Sequence, residues 1–139
     1  MAIFLNNKVG FKVATINLSD HVTAFTLNRQ SDQLEVTAMG DTAHKFVTGL
    51  SADTLTVSFL NDTAAASVLA TLQAAYGTTV AWQAVQDSSA AISATNLLYS
   101  GTILIDNITD INGAVGDEGM MDLTFTCNSK SATASTGTW

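Results

Sequence analysis

Two histidines, one cysteine and one Asx-rich run are the residues of this chain whose types could do chemistry. A histidine beside a carboxylate could serve a small hydrolase as general base. His21 or His44 would then need a pocket, an acid and a nucleophile around it. Neither has a partner at metal-ligand spacing, and His44, next to Lys45 in a polar stretch, reads as solvent-exposed. Cys127 closes the run Met121-Asp122-Leu123-Thr124-Phe125-Thr126-Cys127, whose alternation places it on an inward face. A core thiol is expected there rather than a nucleophile. The stretch from Asp106 to Gly113 offers the oxygens that calcium takes, but not at EF-hand spacing, and the same residues read as an ordinary Asx-rich turn. Gly49-Leu50-Ser51-Ala52-Asp53 lacks the second glycine of a nucleophile elbow, and no phosphate-binding glycine loop occurs. The expectation is a protein with no catalytic residue, no metal and no cofactor. Trp82, Tyr99 and Trp139 leave one binding alternative open, a carbohydrate-binding β-sandwich module with a sugar-stacking platform.

Composition narrows the classes further. The chain has 139 residues, 47% hydrophobic and 12% charged, too apolar and too weakly charged for intrinsic disorder. Its net charge is −7, with five basic residues in all and none between Phe46 and Ser129. A grip on nucleic acid needs clustered Lys and Arg, so that class is excluded. A lone cysteine supports no disulfide framework. No apolar run approaches the length of a membrane-spanning helix. The four apolar residues Ala2 to Leu5 are too short for a secretory signal, so the triplets opened by Asn17, Asn61 and Asn107 read as chance glycosylation matches.

The elements that would position these residues are mostly strands. Thr54 to Phe59, Gln33 to Ala38 and Met121 to Cys127 alternate apolar and polar residues, which predicts strands with one buried face. In the second of these, Leu34 and Val36 are expected to point inward. Val9 to Ile16, Val22 to Leu27, Thr79 to Val85 and Tyr99 to Ile105 are weaker strands. One segment, about 62–76, has helical spacing through Val68, Leu69, Leu72, Ala75 and Tyr76. Asn61 or Asp62 is placed to cap its start and Gly77 to close its end. The expected fold is mainly β, two packed antiparallel sheets forming a sandwich or barrel-like pair, with one flanking helix. Residues 1–127 read as one domain and 128–139 as a flexible C-terminal tail, with long loops at Gly40–Gly49 and Asp106–Gly119.

Between Thr63 and Ile105 Asp87 is the only charged side chain. Such depletion marks interface cores, although a neutral Ala- and Thr-covered face would look the same. Read as an interface, it makes Val68, Leu72, Tyr76 and Trp82 candidates for packing against neighbouring subunits.

The run Leu18-Ser19-Asp20-His21-Val22-Thr23, then Leu34-Glu35-Val36-Thr37-Ala38-Met39-Gly40-Asp41-Thr42-Ala43, then Phe46-Val47-Thr48-Gly49-Leu50, resembles the tail tube (major tail) proteins of long-tailed, non-contractile bacteriophages. The likeness continues through Asp53 to Asp62, the helix, Gly77-Thr78-Thr79-Val80 and Tyr99-Ser100-Gly101-Thr102. It spans roughly residues 18–127, and Thr48 departs from it where such proteins commonly carry proline. The resemblance implies a β-sandwich-like subunit that forms hexameric rings, stacked into a hollow tube for genome passage. It implies a virion protein made in the host cytoplasm, with no membrane role. Its partners would be copies of itself, the tape measure protein and other tail proteins, and DNA that passes without specific binding. On that reading Glu35, with Gln33 and Thr37, lines the lumen, and Asp106 and Asp122 are further lumen candidates. Met39, Gly40, Asp41, Thr42, His44, Lys45 and Phe46 would bridge rings; a mobile surface loop is the other reading of that stretch.

Overall fold

The computed structural model describes residues 8–65 and 67–139. The chain is mainly β, with antiparallel sheets and one helix in a sandwich-like arrangement. Its elements run β1 (Gly10–Val13), β2 (Ile16–Asn17), a 3-10 turn (Ser19–His21), β3 (Val22–Asn28), β4 (Ser31–Glu35), β5 (Phe46–Ser51) and β6 (Thr54–Leu60). There follow α1 (Val68–Ala75), β7 (Thr79–Val85), β8 (Leu98–Leu104), β9 (Met120–Thr126) and β10 (Ala132–Ala134). A five-stranded sheet has the order β10-β8-β7-β1-β2 and a three-stranded sheet the order β3-β6-β9, while β4 and β5 pair only with each other.

Period-two alternation builds the core. In β6, Leu55, Val57 and Phe59 are fully buried, and across the ladder Phe125, Leu123 and Met121 of β9 meet them in register. The facing sheet supplies Phe11 and Val13 from β1, Trp82 and Ala84 from β7, and Ile103 from β8. The sheets meet at aromatic contacts. The Phe11 ring lies 5.1 Å from that of Phe25 and 6.1 Å from that of Phe59. Gly101 stands in mid-strand because Trp82 packs beneath it: a Cβ there would sit 3.1 Å from the indole Nε1. The helix adds Val68, Leu69, Leu72 and Ala75 to the same cluster.

Helix α1 is shorter than its spacing suggests. Residues 62–65 form the approach to it: the Asp62 side chain accepts the Ala64 amide, and the Asp62 carbonyl accepts that of Leu69. At the far end Gly77 adopts φ +79° and donates its amide to the Ile105 carbonyl, the left-handed closure expected of it.

Four expectations are corrected. The C-terminal residues are not a free tail: β10 pairs with β8, Ser131 is buried, and the Trp139 ring lies 4.3 Å from the Lys12 ammonium. Gly40–Gly49 is not all loop, since Phe46–Ser51 is a strand. Val68, Leu72 and Trp82 are in the subunit's own core, so they present nothing to a neighbour; of that group only Tyr76 is exposed. The charge-poor interval is thus largely explained by burial, because α1, β7 and β8 all contribute to the core. Finally, Val9–Ile16 is not one strand. It folds back at Ala14 and Thr15, with Val13 opposite Ile16.

That turn is strained. Ala14 has φ +50° and Thr15 φ +69°, a conformation in which Cβ crowds the backbone and which hairpins normally fill with Asn-Gly. Burial of Phe11 and Val13 on one strand and the Leu18 side chain beyond the other imposes it. Replacing Ala14→Asn and Thr15→Gly together is expected to stabilise the fold by about 1–2 kcal/mol. Urea unfolding at neutral pH reads this out; an unchanged or lowered midpoint would show the turn to be unstrained.

Candidate functional site

The β4–β5 hairpin leaves the body of the molecule through Gln30 and Ala52. Its ladder pairs Leu34 with Val47, Glu35 with Phe46 and Gln33 with Thr48, and the Val36 amide continues it to the Lys45 carbonyl. Alternation then gives the hairpin two unlike faces. Leu34, Val36 and Val47 share one; Gln33, Glu35 and Thr37, with Phe46 and Thr48, share the other. Among the described residues nothing covers the apolar face: Leu34 is 54%, Val36 48% and Val47 47% exposed. Leu34 and Val36 therefore lie on one apolar face, as their spacing suggests, but that face is turned to solvent rather than to the core.

The tip is ordered by polar contacts. Asp41 accepts the Ala38 amide at 2.7 Å and pairs with the Lys45 ammonium at 2.7 Å. The Lys45 ammonium, then the Ala38 amide, hold its carboxyl below the usual range. Gly40 turns the chain at φ +94°. Glu35 accepts from the Thr37 hydroxyl and lies 2.6 Å from His44 Nδ1. Met39, Gly40, Asp41, Thr42, His44, Lys45 and Phe46 thus occupy one projecting element. Gln33, Glu35 and Thr37, assigned from the sequence to a separate role, sit on that same element.

The root of the hairpin is built on a carboxylate that sequence reasoning missed. Asp53 is 3% exposed. It accepts the Gln30 amide at 3.1 Å and the Ser131 amide at 2.9 Å, and its own carbonyl accepts the Cys127 amide. Both hairpin legs and the C-terminal segment therefore meet at one side chain. Burial alone would raise its carboxyl. The amides of Ser131 and Gln30 and the charge of Arg29 outweigh burial and hold it below its ordinary value. Cys127, half-buried beside it, is pushed up by burial and by the Asp53 charge, so its thiol stays protonated.

A second surface is the outer face of the three-stranded sheet. Rows run across it through Thr26, Thr56 and Thr124 and through Ala24, Ser58 and Asp122, with Asn28, Thr54 and Thr126 at the end. Asp122 is the one charge in these rows. Apart from Ala24 and Asn28 the rest carry hydroxyls, and the Thr56 and Thr124 oxygens lie 3.4 Å apart. The alternation of Thr54 to Ser58 already implies this face; its continuity across strands comes only with register.

Charge is distributed unevenly. The 3-10 turn, the approach to α1 and the 106–119 loop are tied together: His21 bridges Asp20 and Asp62, each at 2.8 Å, and Asn61 binds backbone of Asp110 and Gly119. These segments with β9 hold Asp20, Asp62, Asp106, Asp110, Asp117, Glu118 and Asp122 and no Lys or Arg. The remaining five acids match the five bases, so the whole net charge of −7 belongs to this region. Along the β9 edge, Asn107 and Asn112 donate their side-chain amides to the Thr124 and Met120 carbonyls, shielding an otherwise open strand.

Other chemistry finds little support in the geometry. Both ring nitrogens of His21 face carboxylates, leaving neither to take a proton from a nucleophile. His44 stands in solvent on the hairpin. Among the described residues no three His, Cys, Asp or Glu side chains gather to hold a metal, and no helix is long and apolar enough to cross a membrane. Trp82 is 1% exposed and offers no face to a sugar. No protein-family model matches the chain, and no curated protein matches it either.

The lowered Asp53 value fixes a sign for acid. Its contribution is complete above the ordinary carboxylate pKa of about 4 and is lost as pH falls through the lower folded value. Asp53→Asn keeps the shape but not the charge. It is expected to cost about 2 kcal/mol at pH 7 and to flatten the stability loss of the parent below about pH 4. Urea titrations at both pH values test this, and a variant matching the parent at each would remove Asp53 from this role.

Proposed function

We propose that the chain is a structural subunit of a bacteriophage tail tube, which assembles by self-association into stacked, hexameric rings and carries out no catalysis. The observation that carries the reading is the β4–β5 hairpin, whose apolar face has no cover among the described residues. A two-stranded hairpin is marginally stable in water by itself, and an ordered apolar surface of this kind marks a contact with another chain. A second copy, one ring along, is the partner assigned here, with residues 39–46 at the point of contact.

The DNA path follows from charge and hydroxyls. Of the lumen candidates, Asp122 fits best, because it stands in a hydroxyl-covered sheet face free of Lys and Arg. DNA carries one negative charge per about 1.7 Å of axis. A wall of Thr and Ser with a few carboxylates hydrates well and offers phosphates no cation, so DNA slides past it. Asp106 lies in the same acidic region, whereas Gln33, Glu35 and Thr37 belong to the hairpin and serve the ring contact. The tape measure protein and other tail proteins complete the set of partners, in the virion, after synthesis in the host cytoplasm.

Negative-stain microscopy of concentrated protein is expected to show rings or tubes of uniform bore. Leu34→Asp with Val47→Asp, a pair remote from the core, is expected to reduce tubes at least tenfold while circular dichroism and the unfolding midpoint stay near those of the parent. Parent and variant alike remaining monomeric at every concentration and salt would overturn the reading.

A further inference from the structure

The root of the hairpin holds a cleft of about 180 Å³, the share of about six waters. Arg29 and Ser31 line it from the first hairpin leg, Ser51 from the second, and Lys130 and Ser131 from the C-terminal segment. Both cations are exposed and unclaimed. Among the described residues Lys45 is the only Lys or Arg in a contact ion pair. Residues 1–7 and 66 include no acid that could add another. Asp53 also lines the cleft, but it is 3% exposed and each of its oxygens already accepts an amide. Two cations against that one carboxylate leave the cleft net positive. Ser131 adds an independent observation. It is 4% exposed, and its Oγ is buried with no hydrogen-bond partner among the described residues. Native folds rarely leave such a group unsatisfied.

A guanidinium and an ammonium at the rim, with hydroxyls below, form the donor set that an oxoanion takes. The cations give charge-assisted bonds and the hydroxyls neutral ones. A cationic ligand would be repelled by the rim, and a neutral one would leave both charges unused. The volume admits only a small ion. We propose that this cleft binds a small tetrahedral oxoanion, phosphate or sulfate, held by Arg29 and Lys130 and by the hydroxyls of Ser31, Ser51 and Ser131. Bound there, the ion ties together the same three segments that Asp53 joins. Its binding therefore stabilises the root of the hairpin in proportion to its occupancy. The site does not depend on the proposed function.

Titration of the full chain with inorganic phosphate, followed by amide NMR, tests it, with sodium chloride of equal ionic strength as the control. Saturable shifts are expected at residues 29–31, 51–53 and 130–131, with β7 and β9 unmoved. Lys130→Gln is expected to weaken phosphate binding about tenfold and Ser131→Ala about threefold, whereas Lys130→Arg keeps it. Without phosphate both weakened variants are expected to unfold at the midpoint of the parent, because Lys130 is exposed and Ser131→Ala removes a hydroxyl that has no partner. Shifts no larger than those in chloride, shifts that do not saturate, or an affinity in either weakened variant equal to that of the parent would overturn the proposal. Should Ser131→Ala fail to fold, Lys130→Gln against Lys130→Arg decides, and equal affinity of those two overturns it.

Discussion

A carboxylate taken out of water must be offset by donors, and the placement of Asp53 makes those donors organise the molecule. Its two oxygens draw amides from Gln30 and Ser131, segments far apart in the chain. Left unmade, either bond would strand a buried charge or a buried amide, at a cost of about 1–3 kcal/mol. The consequence is geometric. The hairpin legs are held side by side as they leave the body, and the last residues are drawn in so that β10 closes the edge of β8. Trp139 can then lie against Gly10, where any Cβ would fall 2.5 Å from the ring.

Beyond that root, the hairpin follows a different rule from the body. In the body the apolar faces of β6, β7 and β9 have partners within the subunit. The hairpin keeps the same alternation without a partner among the described residues, and concentrates its polar contacts in its own tip through Asp41, Lys45, Glu35 and His44. A flexible loop would lose considerable entropy on docking, while an ordered arm loses less. That difference suits the proposed contact between copies.

The same division governs charge. Lys45 pairs with Asp41, Arg29 acts on Asp53 and Lys8 on Asp87, and the acids outside the acidic region equal the bases in number. The unneutralised acids gather around the 106–119 loop and β9. Long-range potential therefore comes from one region of the subunit. A surface of hydroxyls adjoins it, and the proposed sliding of DNA draws on both.

Much of this is legible in the amino-acid sequence. Alternation in Thr54–Phe59 and Met121–Cys127 determines which side chains form the core, because a period of two leaves a strand one buried face. Helical spacing with Gly77 determines α1 and its end. The scarcity of Lys and Arg is likewise a property of the sequence alone. Tertiary structure decides the rest, for reasons that local pattern does not contain. Leu34 and Val36 carry the same alternation as Leu55 and Val57, yet one pair faces solvent and the other the core. The difference lies in whether a second sheet stands opposite. Ala14 and Thr15 turn the chain although neither favours a turn, because burial on both sides outweighs their preference. Val68, Leu72 and Trp82 look alike as core or interface residues until packing assigns them to the core. Asp53 is one acid among twelve in the sequence. Only the convergence of Gln30 and Ser131 upon it, across long separations in the chain, makes it the joint of the fold.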